Sequence, residues 1–184
     1  NLAAPFIGIF AVRMGASNFQ VGLLSSAPAL VALLCMIPGG KYMDRQAQAK
    51  PAVVSLILAQ RVFYLLMATV PFFAPDIRAW LVVMFATIMN GPASIANVGW
   101  QAFISRVIPI SFRADAFAAR NRLSNIAGTL VVLLAGKLID AVGSPLGYQI
   151  AFAGAFLMTM VEIWVFRKMD ESEDAATKPK TSVE

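Results

Sequence analysis

The sequence feature that most limits the fold is the length of the stretches without charge. From Met14 to Gly40 the chain holds no charged residue, and from Pro51 to Pro75 it holds Arg61 alone. A helix needs about 20 residues to cross the hydrocarbon core of a bilayer. Helices of a soluble domain show one polar face, and several of the long apolar segments in this chain have no polar face. We therefore expect an all-α protein embedded in lipid.

The composition of the chain leads to the same class of protein. Hydrophobic residues make up 59% of the 184 residues, charged residues 14%, and the mean hydropathy is +0.71, outside the usual range of soluble domains. The net charge of +5 is compatible with nucleic acid. In an apolar chain, however, basic residues more often mark cytoplasmic loops. We expect the lipid bilayer as a partner and no nucleic acid.

Six membrane-spanning helices fit the chain. The predicted segments are 1–12 (the later part of a first helix), 18–40, 51–73, 78–105, 114–140 and 148–166. Ser17 or Asn18 is expected to cap the second helix, and Pro28 and Pro38 to kink it. We predict a transmembrane bundle over residues 1–168. Residues 169–184, rich in charged and small polar residues, are predicted as a disordered cytoplasmic tail or the start of a linker between domains.

The distribution of basic residues predicts the orientation of the helices. If the polar segment from Gly40 to Lys50 faces the cytoplasm and the helices alternate, most lysines and arginines lie inside. Those outside are Arg13, Arg78 and Lys137, and Arg61 lies within the third helix. Because short cytoplasmic loops carry an excess of Lys and Arg, we predict a cytoplasmic tail, in what we expect to be a bacterial inner membrane.

The segment after the second helix carries a motif. Gly40, Asp44 and Arg45, followed by Lys50, resemble the signature loop between helices two and three of the major facilitator superfamily. The resemblance implies the N-terminal six-helix half of a twelve-helix transporter, built from two inverted repeats of three helices. It also implies alternating access, in which a second six-helix half pairs with this one.

A second copy of part of this motif occurs later in the chain. Gly40-Lys41-Tyr42-Met43-Asp44 is echoed by Gly136-Lys137-Leu138-Ile139-Asp140. The first copy ends the second predicted helix, and the second copy ends the fifth. An inverted repeat of three helices predicts such a correspondence, although chance is an alternative explanation.

One face of the fourth predicted helix is polar. Asn90, Ser94, Asn97 and Gln101 are spaced by four, three and four residues, which places them on the same side of a helix. We predict that this face lines a substrate cavity with Asn125 of the fifth helix, and that Gly91-Pro92-Ala93 makes the fourth helix irregular. Packing between helices, which amide side chains also support, is the alternative.

Two charged residues lie within predicted helices. Arg61 and Glu162 are both expected nearer the cytoplasmic end of their helices than the middle, and ions inside a membrane are rarely without function. The family resemblance implies a conformational latch made by Asp44, Arg106 and Glu162 together with the loop residues Gly40, Arg45 and Lys50. Static pairing of Arg61 with Glu162 and proton coupling at Glu162 are the alternatives.

The chain offers no chemistry that would indicate an enzyme. One cysteine, Cys35, and no histidine give no metal-ligand spacing, and no phosphate-binding loop is present. We expect no cofactor and no catalytic residue. The predicted function is secondary transport of small solutes of unspecified identity, and the alternative is a non-transporting scaffold or receptor-like protein of the same fold.

Overall fold

The fold consists of helices alone over the residues that the computed structural model describes, 4–46, 49–107 and 110–167. The helices are α1 (Ala4–Arg13), α2 (Asn18–Asp44), α3 (Ala49–Thr69), the 3₁₀ helix η1 (Val70–Phe72), α4 (Pro75–Ile88), α5 (Asn90–Val107), α6 (Ile110–Val142) and α7 (Leu146–Arg167). Five segments are long and apolar enough to span a membrane, and α1 is a shorter apolar helix. The predicted all-α membrane fold is confirmed. The predicted tail, 169–184, lies outside the described residues.

The start of α2 follows the predicted capping. The Ser17 hydroxyl accepts a hydrogen bond from the backbone N–H of Gln20 at 3.3 Å, and the Ser17 N–H donates to Gln20 Oε1 at 2.8 Å. This reciprocal pair satisfies two backbone donors of the first turn. Gly15, in the turn before it, has a φ of +90°, a conformation that favours glycine.

The end of α2 lies further along the chain than predicted. The helix continues through Pro28 and Pro38 and ends at Asp44, so the pentapeptide from Gly40 is its last helical turn and not a loop. The echo of that pentapeptide lies in the last turns of α6. The two copies therefore occupy corresponding ends of two long helices, as the inverted repeat predicts.

Glycines set the distance between α2 and α5. Three residue pairs meet along this contact, and we call them the glycine seam: Cys35 with Gly91, Gly39 with Ile95, and Met43 with Gly99. In each pair one member is glycine, and a Cβ built on it would lie 2.6 to 3.5 Å from the facing side chain. From one pair to the next, the residue number rises by four on both helices. The two helices are therefore parallel, with rows of every fourth residue in contact.

The α3 and α7 helices form an antiparallel pair. The rings of Tyr64 and Phe152 stack at 6.4 Å between centroids, and Gln149 Nε2 donates to the carbonyl of Ala68 at 2.9 Å. Both pairs fit one register, in which residue numbers rise on one helix as they fall on the other. Phe10 of α1 packs edge-on against Phe152 at 5.1 Å, so this pair also anchors the first helix.

The fourth predicted span is divided at Met89, between α4 and α5. Pro92 has no N–H to donate to the carbonyl of Ile88, which interrupts the helical hydrogen bonds at this point. Asn90 Nδ2 instead donates to the carbonyl of Ala86 at 2.7 Å. The predicted irregularity is confirmed. We call the stretch from Thr87 to Pro92 the helix break, and it lies near the middle of the span Pro75–Gln101.

Candidate functional site: a polar face and an intramembrane ion pair

The predicted polar face on α5 is buried at one end and exposed at the other. Asn90 and Ser94, near the helix break, are half-buried, whereas Asn97 and Gln101 are exposed. The buried members bond to their own helix: Asn90 to Ala86, and the Ser94 hydroxyl to the carbonyl of Gly91 at 2.9 Å. The exposed amides at Asn97 and Gln101 are therefore the part of this face best placed to contact a solute.

Asn125, the cavity residue predicted on the fifth spanning helix, is exposed on α6. Its carbonyl accepts a hydrogen bond from the Thr129 hydroxyl at 2.9 Å. The α6 helix packs mainly on α7, and its apolar stretch is nearly all exposed. The structure thus places Asn125 on an open surface, and its part in a cavity with α5 stays a prediction.

A contact that the sequence did not indicate joins α5 to α6. The guanidinium of Arg120 lies over the ring of Trp100, 5.5 Å from its centroid. Trp100 is half-buried and directly precedes Gln101. Arginine over an indole face is a favourable arrangement, so this contact holds the start of α6 beside the exposed end of the polar face. Its formation depends on helix packing and leaves no periodic signal in the sequence.

Arg61 and Glu162 form an ion pair between α3 and α7. Arg61 Nη2 lies 3.7 Å from Glu162 Oε2, and the side chains are 13% and 58% exposed, respectively. The Arg61 guanidinium also lies 5.5 Å from the centroid of the buried Tyr64 ring. A buried cation requires a counter-charge, and Glu162 supplies it. The structure thus realises the contact that the static-pairing interpretation requires.

The geometry of the pair follows from the register of its helices. Because Tyr64 stacks on Phe152, the residue level with Arg61 on α7 is Ala155, and Glu162 lies about 10 Å further along the helix at 1.5 Å per residue. Side chains on a helix lean toward its N-terminus. In an antiparallel pair, Arg61 and Glu162 therefore lean toward each other and close this gap.

Arg61 and Glu162 differ in their position along their spans. Arg61 lies at the midpoint of the apolar span Lys50–Phe72, whereas the expectation placed it nearer the cytoplasmic end. Glu162 does lie near the end of its span, Leu146–Val165. The backbone of Arg61 thus lies at the centre of its span, and the two side chains lean along their helices to meet.

The residues of the predicted latch are only partly placed by the structure. Asp44 and Arg45 are exposed at the end of α2, while Gly40 and Lys50 are half-buried. Glu162 lies beside Arg61, and the side chain of Arg106 lies outside the described part of the chain. The latch between Asp44, Arg106 and Glu162 therefore stays a prediction.

The chain matches the family model of the Major Facilitator Superfamily over residues 1–183. Comparison with curated proteins and with solved structures gave no match. The protein therefore belongs to the major facilitator superfamily, a family of membrane transporters rather than enzymes. It is an integral membrane protein, in keeping with its apolar spans.

Proposed function

We propose that the protein carries out secondary active transport of small solutes by alternating access, with its helices forming one half of the transporter. The observation that carries the proposal is the polar face of α5, whose amides at Asn97 and Gln101 are exposed in a largely apolar bundle. Amides facing hydrocarbon would each cost several kcal/mol if unsatisfied, by rough estimate. A water-filled path for solute removes that cost.

The surface of the bundle supports a second half as partner. Large apolar side chains are exposed along both α2 and α6, among them Leu33, Leu34 and Ile37 on α2, and Leu130, Leu133 and Leu134 on α6. Lipid covers such faces at no cost, but a single bundle encloses its polar face from one side only. We propose that a second six-helix half closes the cavity, and that residues 169–184 form a cytoplasmic tail or the linker toward it. The membrane would be a bacterial inner membrane.

Uptake and efflux by the full-length protein in proteoliposomes test the function. A panel of labelled sugars, amino compounds and other small metabolites is measured with and without a pH gradient. Accumulation of one class against its gradient supports secondary transport. Saturable binding without movement across the membrane would favour the scaffold or receptor-like alternative.

Replacing Asp44 by Asn is expected to slow transport and leave solute affinity nearly unchanged. The exposed carboxylate lies at the end of α2, where the predicted latch would act on the conformational step rather than on the bound solute. Turnover and affinity are measured separately in proteoliposomes, with Asp76→Asn in α4 as the matched exposed carboxylate. Wild-type turnover in Asp44→Asn would count against the latch.

Replacing Asn97 by Ala is expected to weaken solute affinity by roughly 2- to 10-fold, the equivalent of one hydrogen bond. The side chain is exposed on the polar face, so its loss removes a solute contact without disturbing the packing of the bundle. Concentration-dependent uptake measures the change, and Ser26→Ala, an exposed polar residue on α2, is the control. Unaltered kinetics across the panel would exclude this face from the site.

A further inference from the structure

The Thr87 hydroxyl is buried without a bond to its own helix, unlike six other Ser and Thr hydroxyls of the described helices. The hydroxyls of Ser26, Ser55, Thr69, Ser94, Thr129 and Thr159 each donate to a carbonyl three or four residues earlier. The Oγ1 of Thr87 is shielded from solvent and has no hydrogen-bond partner among the described residues. The hydroxyl therefore makes no bond to the carbonyls of the preceding turn of α4.

Thr87 lies at the helix break, where other polar groups are open. The Ile88 carbonyl lacks the N–H that a residue other than Pro92 would donate. The Asn90 amide uses Nδ2 on Ala86, which leaves Oδ1 available as an acceptor. A polar group left unsatisfied in an apolar interior is costly, and the Thr87 hydroxyl is such a group near the middle of the span.

Thr87 extends the polar face of α5 by one residue, across the helix break into α4. It precedes Asn90 by three residues, so Thr87, Asn90, Ser94, Asn97 and Gln101 follow the spacing of one helical stripe. Met89, between α4 and α5, keeps right-handed helical angles of −60° and −22°, and the stripe therefore carries across the break. Thr87 is its innermost member, at the end opposite the exposed Gln101.

The charge of this region limits what can bind there. From Ala79 to Ser105 the chain has no ionised side chain. The polar groups available at the break are a hydroxyl, an amide oxygen and a backbone carbonyl, which together accept more hydrogen bonds than they donate. Their best match is an uncharged group that donates hydrogen bonds, such as a hydroxyl.

We infer that the helix break is the inner end of the solute site and that Thr87 binds a hydroxyl, or a similar uncharged donor, of the transported solute. The inference rests on the proposed transport function and specifies its solute class as uncharged and rich in hydrogen-bond donors. Thr87 acts as a specificity-determining residue, while the amides of Asn97 and Gln101 hold the solute at the open end.

The first test does not require a known solute. Thr87→Cys and Thr159→Cys are prepared separately in a Cys35→Ala background and exposed in membranes to the small hydrophilic reagent 2-aminoethyl methanethiosulfonate. Thr159 is buried and its hydroxyl is satisfied by Ala155, which makes it the matched control. Thr87 is shielded from solvent in this conformation, but alternating access must open a solute site to water in another one. We therefore expect the thiol at position 87 to react well above the rate at position 159. Equal rates would overturn the inference, whatever the transport assay shows.

The second test uses a solute that the full-length protein takes up in the panel. Thr87→Val is expected to raise its KM about 2- to 10-fold, the equivalent of one lost hydrogen bond, while Thr87→Ser keeps the hydroxyl and the wild-type KM. A wild-type KM in Thr87→Val would overturn the inference. Absence of uptake for every solute would instead contradict the proposed function, and the labelling result would still decide the role of Thr87.

The same assay separates a solute hydroxyl from a bound cation. Oxygen ligands at a broken helix also suit a sodium ion. With sodium replaced by choline, the effect of Thr87→Val on KM is expected to persist. Its disappearance in choline would assign the break to sodium and overturn the inference.

Discussion

Replacing Glu162 by Leu is expected to destabilise the folded protein by about 2–4 kcal/mol, because it leaves the Arg61 guanidinium at the centre of its span without a counter-charge. Arg61 is 13% exposed and cannot easily reach water, whereas Glu162 is 58% exposed. The expected loss is therefore smaller than the roughly 3–5 kcal/mol lost when a fully buried pair is broken. The fraction folded in mixed micelles, as denaturing detergent is increased, measures the change.

The double variant Arg61→Met/Glu162→Leu tests whether the unpaired charge causes the loss of stability. It removes both charges and replaces them with apolar side chains, so most of the lost stability should return. Asp140→Leu, a change at an exposed carboxylate near the end of α6, is the control and should have little effect. If the double variant were no more stable than Glu162→Leu alone, the ion pair would not be the cause of the loss.

Replacing each of two adjacent glycines by alanine is expected to change the stability of the protein in opposite directions. A Cβ on Gly39 would lie 2.6 Å from Ile95 Cγ1, and the β-branched Ile95 has little freedom to move aside. Gly39→Ala should therefore cost about 1–3 kcal/mol through overpacking. A Cβ on Gly40 meets nothing within 4 Å, so Gly40→Ala should stabilise α2 by up to about 1 kcal/mol. The same detergent titration measures both variants.

A second substitution tests whether the cost of Gly39→Ala comes from contact with Ile95. Ile95→Ala removes the atoms that a Cβ at Gly39 would strike, so Gly39→Ala should cost less in that background than in the wild type. Equal cost in the two backgrounds would mean that the helices do not meet at this pair.

The helices and the irregularity in the fourth span could be predicted because they depend on local chemistry. Long charge-free stretches identify the spans, a small polar residue identifies the start of α2, and Pro92 removes a backbone donor wherever it stands. The ends of helices were predicted less well. At the end of α2, the sequence Gly40-Lys41 suggested a loop, but the helix continued because its charged side chains can reach water from a helical turn.

The pairing of residues far apart in sequence could not be predicted. Gly39 and Gly40 are identical in type and adjacent, yet only one faces α5. Thr87 and Thr159 both lie within apolar spans, yet only Thr159 bonds to its own helix. Such differences arise from the rotation and register of packed helices. Many residues determine these together, each through a small contribution to the packing free energy. The sequence allows Arg61 and Glu162 to pair but does not require it, and the register of α3 against α7 brings the two side chains together.

The central position of Arg61 has a consequence for how the protein is made. At about 5–20 residues per second, the ribosome adds Glu162 roughly 5–20 s after Arg61, since the two are about 100 residues apart. During that interval the third span enters the membrane with an uncompensated positive charge, at a cost of about 2.5–3.5 kcal/mol that its apolar residues must offset. Synthesis of α7 brings Glu162 beside this charge, so the third span gains its counter-charge only once α7 has entered the bilayer.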